Sequence, residues 1–282
     1  MSEAVSHVSD TARWVAVYRA LETARPDALF RDPLADRLAG PRGKAIAAAT
    51  PKAAATGWSM VTRTKLMDDL VRDALQQGCD RVLNLAAGLD TRPYRLALPS
   101  TLTWVEADLP EILEEKARLL ATETPTCRLV REGVDLADAD ARRAFLDRAL
   151  TGASKALVIT EGLVVYLEEA QVAALGRDFA ARPAIAWWML DVMSPAIVRS
   201  IREGMGGRHP ARNLIKWGPA NGVAFFEALG WRAHDVRSII RWATRLRRAP
   251  WYFYPFMIFP DPDPRRLGDN RWSAVVRLER AA

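Results

Sequence analysis

The sequence predicts an α/β protein on a mainly parallel, doubly wound sheet, and three observations carry that expectation. Strand-like apolar runs alternate with helical patterns through residues 81–190. The first run, Val82, Leu83 and Leu85, opens into the small-residue turn Ala86-Ala87-Gly88, where missing side-chain bulk lets a ligand lie against the backbone. The stretch Leu102-Thr-Trp-Val-Glu-Ala-Asp108 then ends a second strand in acid. It lies about twenty residues on, the spacing at which such a sheet sets a carboxylate against a ribose diol.

The elements follow in order. Over residues 10–23, Trp14, Val17, Tyr18 and Leu21 recur at three and four, the period of an amphipathic helix, with Ser9-Asp10 as its start signal. Residues 26–43, rich in Asp, Pro and Gly, read as a loop with one short helical turn, and Met67, Leu70, Val71, Ala74 and Leu75 mark another helix. Residues 1–78 are expected to form a helical cap over the cleft. Strands at 81–85, 102–106, 127–133, 156–160 and 184–190 then alternate with helices near 110–121, 138–150 and 168–179, giving a core of 79–203. The glycine-dense stretch 204–219 reads as a loop and candidate lid. Beyond it, 220–229 looks helical and 231–236 and 273–278 look extended, so 204–282 completes the sheet. One domain over 1–282 accommodates all of this, and no internal repeat is visible.

Composition excludes several classes. The chain has a net charge of +6, and Arg237, Arg241 and Arg245 stand at helical spacing with Arg247 and Arg248 beyond. A solvated helix face with Ile239, Ile240, Trp242 and Leu246 as its buried stripe accounts for them, so a nucleic-acid partner is not expected. Cys79 and Cys127 have no metal-ligand spacing and are too few for a disulfide scaffold, which predicts a metal-free protein of the reducing cytoplasm. The N-terminus, MSEAVSHVSD, has no apolar signal core, and the apolar stretch 251–259 is too short to span a bilayer. No membrane insertion is expected, and the oligomeric state is not legible.

The phrases FRDPLADRLAG, TRTKLMDD, LNLAAGLDTRPYRL, VEADLP, VDL, TEGLVVYL and GVAFFEALGW occur in that order. Over roughly residues 10 to 280 the chain resembles bacterial class I S-adenosylmethionine-dependent methyltransferases related to leucine carboxyl methyltransferase and polyketide O-methyltransferases. The resemblance implies S-adenosyl-L-methionine as cofactor and a role for each motif. Ala86, Ala87 and Gly88 would pass its methionine portion, and Asp108 would accept from its ribose hydroxyls. Asp135 and Leu136 would flank the adenine, Arg63 would fork onto the carboxylate, and Glu161 would take the amino group. Each residue has a plainer alternative: a helix N-cap for Asp108, with Glu106 as the competing acid; a capped helix start for Asp135; a surface position for Arg63. The chain departs from many methyltransferases in carrying Ala86 where they have glycine and Asn84 where they have an acid.

Glu161 ends an apolar strand, where an unpaired carboxylate is costly, so it must meet a cation, a donor or water. Tyr166 could shape the acceptor side and act in catalysis, or be a core tyrosine with a satisfied hydroxyl. His209, in the glycine-rich loop, is the candidate base in a closed state, with a solvated loop histidine as its alternative; His7 and His234 form no motif. The expected reaction is methyl transfer to an oxygen, chiefly a carboxylate, of a small acceptor. Aromatics as dense as Trp187, Trp188 and the run Trp251-Tyr-Phe-Tyr-Pro-Phe256 usually form core, yet the second run sits beside prolines and fits a flat aromatic or polyketide-like acceptor. A phenol or nitrogen acceptor, or a protein that binds cofactor without turnover, are the alternatives.

Overall fold

The computed structural model describes residues 8–49, 57–204 and 214–281. Seven strands, β1 (Arg81–Leu85), β2 (Thr103–Asp108), β3 (Arg128–Gly133), β4 (Ala156–Thr160), β5 (Ile185–Met193), β6 (Trp231–Ser238) and β7 (Ser273–Arg280), form one sheet in the order β3-β2-β1-β4-β5-β7-β6. Neighbours among β1 to β5 run parallel, and β7 runs antiparallel between β5 and β6. Parallel strands need crossovers; the helices Pro110–Leu119, Ala139–Ala149 and Glu169–Ala180 lie on those from β2 to β3, β3 to β4 and β4 to β5.

Both faces of the sheet are covered, which is why β1 and β4 read as near-continuous apolar runs. Leu83, Leu85, Val158 and Trp188 pack toward Phe145, Val172 and Phe179 on one face. Val82, Leu157, Ile159 and Trp187 pack toward Leu66, Met67 and Leu70 of the Gly57–Gln76 helix on the other. Side chains alternate along a strand, so the adjacent Trp187 and Trp188 serve opposite faces. Trp188 is enclosed edge-to-face by Phe179, Phe226 and Trp231, and its indole N–H donates to the Thr160 hydroxyl at 2.8 Å. Trp187 is buried beneath Lys155 and Arg277. Both rings are core, which removes them as lining for an aromatic acceptor.

The N-terminal helix Val8–Thr23 packs on the loop after β1: Ala16 and Val17 share a cluster with Leu38 and Leu89, and the Arg19 guanidinium donates to the Leu89 carbonyl at 2.6 Å. Part of the expected loop 26–43 is instead helix, Ala35–Ala49, broken by Gly40 at φ 58° before Pro41. The Gly and Pro signals mark that break, while buried Leu38, Ala39 and Ile46 hold the flanking turns. Arg237 lies in β6, so the expected arginine-bearing helix shrinks to Ile239–Arg245. The period-four spacing across that boundary is coincidental, because Arg237 pairs with Asp73 instead. The helix expected at 220–229 contracts to Ala224–Glu227. Most of the candidate lid, with His209, lies outside the described residues.

Candidate functional site

The strand order reverses between β1 and β4, which opens a crevice at the carboxyl ends of these strands, the usual ligand position in open α/β sheets. β1 delivers Ala86 and Gly88 into left-handed backbone, φ 53° and 46°. Ala86 carries a Cβ there, a conformation that costs about 1–2 kcal/mol for a residue other than glycine. The turn is held by the Ala87 N–H donating to the Ala107 carbonyl at 3.2 Å and by the Asp90 N–H donating to the Ala87 carbonyl at 3.0 Å. A Cβ on Gly88 would stand 3.3 Å from that of Ala12, so glycine permits the close approach of the N-terminal helix.

Asp108 ends β2 beside this turn. Its carboxylate accepts from the Gly88 N–H at 2.7 Å through one oxygen and from the Leu109 N–H at 2.8 Å through the other. It does not cap the following helix, whose N-cap is Leu109. Burial pushes its carboxyl up, against the pull of both N–H groups. Glu106, two residues earlier, sits wholly buried between Lys116 at 2.7 Å and Arg131 at 2.9 Å, which removes the competing acid from the crevice. The Val134 N–H donates to the Asp108 carbonyl at 2.9 Å and so brings the end of β3 alongside. Asp135 there is exposed and accepts from the Ala137 N–H at 2.9 Å, whereas the cap of the next helix is Asp138. Leu136 packs partly into the core.

On the β4 side, Glu161 bridges two guanidiniums: Arg63 Nε lies 3.0 Å from one carboxylate oxygen and Arg92 Nη1 2.8 Å from the other. Arg63 is buried, not a surface residue, and reaches Asp191 of β5 at 3.0 Å. Asp191 in turn accepts from the Gly162 N–H at 2.6 Å. Gly162 adopts φ 64°, and a Cβ there would stand 3.4 Å from the Arg63 guanidinium. Arg92 also holds Asp90 at 2.8 Å and Asp68 at 2.8 Å, and Asp68 grips Arg95 through both oxygens. Burial works against the charged form of Glu161, but Arg92 and then Arg63 outweigh it and hold its carboxyl below the usual range. The same balance raises Arg63 and Arg92, so all three are ionised at neutral pH. Asn84, where many methyltransferases have an acid, donates to Asp90 at 2.8 Å. It thereby orients a carboxylate without adding another.

Tyr166, in the 3-10 turn Val164–Tyr166, lies beside Thr11 of the N-terminal helix and feels the charges of Arg63 and Asp191. Burial pushes its phenol up, so it stays protonated at neutral pH and can donate a hydrogen bond. The structure thus brings Arg63, Gly88, Asp108, Glu161 and Tyr166 to one crevice, with Asp135 and Leu136 at its β3 margin. Sequence reasoning missed Asp68, Asp191 and the central part played by Arg92. An aspartate interrupting the apolar strand IAWWMLDVM was the available signal for Asp191.

A seven-stranded sheet of this order with its crevice at the β1–β4 reversal is the architecture of class I methyltransferases, and the comparisons with known proteins agree. A crystal structure of a DUF574 family protein from Streptomyces avermitilis matches over 96% of this chain and 97% of its own, with a TM-score of 0.59 at 15% identity. A structure from Thermobifida fusca, described as a methyltransferase, gives 0.57 at 17% identity over 95% and 94%. At these identities the likeness shows the fold. Among sequence relatives, a Streptomyces coelicolor protein described as an S-adenosyl-L-methionine-dependent methyltransferase is 34% identical over 246 residues, covering 83% of this chain and 87% of the relative. One of Frankia alni is 32% identical over 250 residues with the same coverages. The family model described as leucine carboxyl methyltransferase matches residues 12–180. The chain belongs to the leucine carboxyl methyltransferase family and is an S-adenosylmethionine-dependent methyltransferase.

Proposed function

We propose that the protein transfers a methyl group to an oxygen, chiefly a carboxylate, of a small acidic acceptor. The observation that carries the cofactor half of this reading is the Glu161 carboxylate held between Arg63 and Arg92 beside Asp191. Asp32, Asp68, Asp90, Glu161 and Asp191 face Arg19, Arg63, Arg92 and Arg95 in this network. Five carboxylates against four guanidiniums leave one negative charge in excess, which suits a ligand whose sulfonium and ammonium outweigh its carboxylate. Arg63 would fork onto that carboxylate, Glu161 and Asp191 would receive the ammonium, and Asp108, with lone pairs left after two backbone donors, would accept from the ribose hydroxyls. Asp135 and Leu136 would border the adenine, and Ala86 to Gly88 the methionine chain.

When bound, S-adenosylmethionine supplies a methyl group on a positively charged sulfur. The chain's own task is to orient the acceptor, hold the network ionised and keep water out, for which positioning in a dry cleft is the main lever. A carboxylate acceptor is already a nucleophile at neutral pH and needs no base. Tyr166, neutral and beside Arg63, would donate a hydrogen bond that holds the acceptor, and His209 would act, if at all, from the glycine-rich loop. The family description, leucine carboxyl methyltransferase, supports a carboxyl oxygen. The buried free thiols Cys79 and Cys127 support the reducing cytoplasm, and among the described residues no helix is long and apolar enough to cross a membrane.

Transfer of labelled methyl from the cofactor to a panel of carboxylic acids and phenols tests this. A product that releases labelled methanol in mild alkali identifies a methyl ester. An alkali-stable label would replace the carboxylate by a phenol or an amine. Cofactor binding with no transfer to any extract or panel would leave only the binding half standing.

A further inference from the structure

The segment Trp251–Ile258, a 3-10 turn of sequence WYFYPFMI, buries none of its side chains. Trp251 is 81% exposed, Phe256 62%, Ile258 82% and the adjoining Phe259 61%. Single exposed apolar residues need no explanation, whereas a contiguous run of large ones marks a contact surface. The run is anchored from beneath. The Arg241 guanidinium donates to the carbonyls of Met257 and Phe259 and pairs with Asp261 at 2.7 Å. The Tyr254 hydroxyl reaches the Thr244 carbonyl at 3.5 Å, and Phe253 stacks against Trp58 at 5.6 Å between centroids. Its outward face is therefore held in place by the core.

The helix beneath it and the turn that follows that helix carry only basic charges. Of the neighbouring arginines, Arg237, Arg241 and Arg248 are committed to Asp73, Asp261 and Glu22. Arg245 and Arg247 are exposed and, among the described residues, have no ion-pair partner; Arg245 lies over the Trp242 ring at 5.3 Å. A Trp, Tyr and Phe surface flanked by uncommitted guanidiniums has the composition that partitions into the headgroup region of an anionic bilayer. A second copy fits less well, because a two-fold contact would set the same two arginines against their equivalents around one aromatic patch. The chain's segment 205–213, with Arg208 and Arg212, is itself basic and offers no complementary charge.

We infer that the exposed Trp251–Phe259 surface with Arg245 and Arg247 seats the protein on an anionic lipid bilayer, as a peripheral contact and not an insertion. None of the residues of this surface is among those placed at the crevice, and the inference stands whether or not the acceptor is a carboxylate. The test is co-sedimentation of the full chain with vesicles of phosphatidylcholine alone and of phosphatidylcholine with phosphatidylglycerol. The wild type should pellet with the anionic vesicles at low salt, release as salt rises, and pellet weakly with the neutral ones. Trp251→Ser with Ile258→Ser, and separately Arg245→Glu with Arg247→Glu, should each lower partitioning by about tenfold or more while calorimetric cofactor binding stays at the wild-type value. Arg118→Glu with Arg128→Glu, an equal charge change on another surface, should lower it much less. If the apolar double variant fails to fold, the Arg245 and Arg247 variant decides. Wild-type protein that stays in the supernatant with anionic vesicles overturns the inference. So does equal loss in the Arg118 and Arg128 control, or a dimer in light scattering that the Trp251 and Ile258 changes convert to monomer.

Discussion

At the scale of single residues, Asp108 and Arg63 make the proposed cofactor contacts most open to test. The Asp108 carboxyl offers all of its acceptor lone pairs only as the anion, since protonation turns one oxygen into a donor, and burial has already raised its pKa. Cofactor affinity should therefore fall on acidification at a higher pH than an ordinary aspartate would give. Asp108→Asn should cost about 1.5–3 kcal/mol of binding and abolish that pH dependence in calorimetric titrations. For folding the sign is opposite to the usual carboxylate case: the folded state holds this proton more tightly. Asp108 therefore contributes its stability at low pH and loses it as pH rises from the unfolded value through the raised folded one. Arg63→Lys keeps a charge but cannot fork across Glu161 and Asp191. Cofactor binding should weaken by roughly tenfold, the scale of one charged hydrogen bond, and binding at the wild-type level would leave Arg63 a purely structural ion.

At the scale of elements, the β1 turn and the helix caps separate function from stability. Ala86 sits at φ 53°, where glycine carries no steric cost. Ala86→Gly should stabilise the fold by about 0.5–1 kcal/mol, the relief of left-handed strain less the added unfolded-chain entropy, read as a raised midpoint in urea. Asp138 caps the Ala139–Ala149 helix by accepting from the Asp140 and Ala141 N–H groups at 2.9 and 3.1 Å. Asp138→Ala should cost about 1 kcal/mol of stability with cofactor affinity unchanged. Reduced affinity would show instead that the β3 margin shifts with the helix.

At the scale of the whole molecule, the buried ion network ties the Gly57–Gln76 helix to the sheet: Arg63 on it pairs with Glu161 just after β4 and with Asp191 of β5, and Asp68 on it pairs with Arg92 and Arg95 of the short helix Arg92–Arg95. Arg92→Met would leave Asp68, Asp90 and Glu161 facing a missing cation in the interior and should destabilise by about 3–5 kcal/mol. Despite burial, the arginines hold Asp68, Asp90 and Glu161 below the normal carboxylate range. Their stabilisation is thus complete above the unfolded pKa, about 4, and disappears as pH falls through the lowered folded values. Urea midpoints measured from neutral pH into acid should drop steeply in that window for the wild type and less for Arg92→Met.

Legible along the chain were the sheet, the order of its first five strands and the residues at their carboxyl ends. Apolar runs of strand length and small-residue turns are local signals: the predicted 81–85 and 156–160 match β1 and β4. Tertiary structure decided everything that depends on what meets a side chain. Glu106 and Asp108 are indistinguishable by spacing, yet Lys116 and Arg131 claim the first and Gly88 the second. Trp187 and Trp188, which composition left between core and acceptor lining, are core because both faces of β5 are covered. Asp191 and Arg92 enter the site through contacts with residues 128 and 69 positions away in sequence, a pairing no local pattern encodes. The aromatic run at 251–259 was visible as composition. That it faces outward follows from Arg241 holding its backbone, a long-range hydrogen bond and not a periodicity.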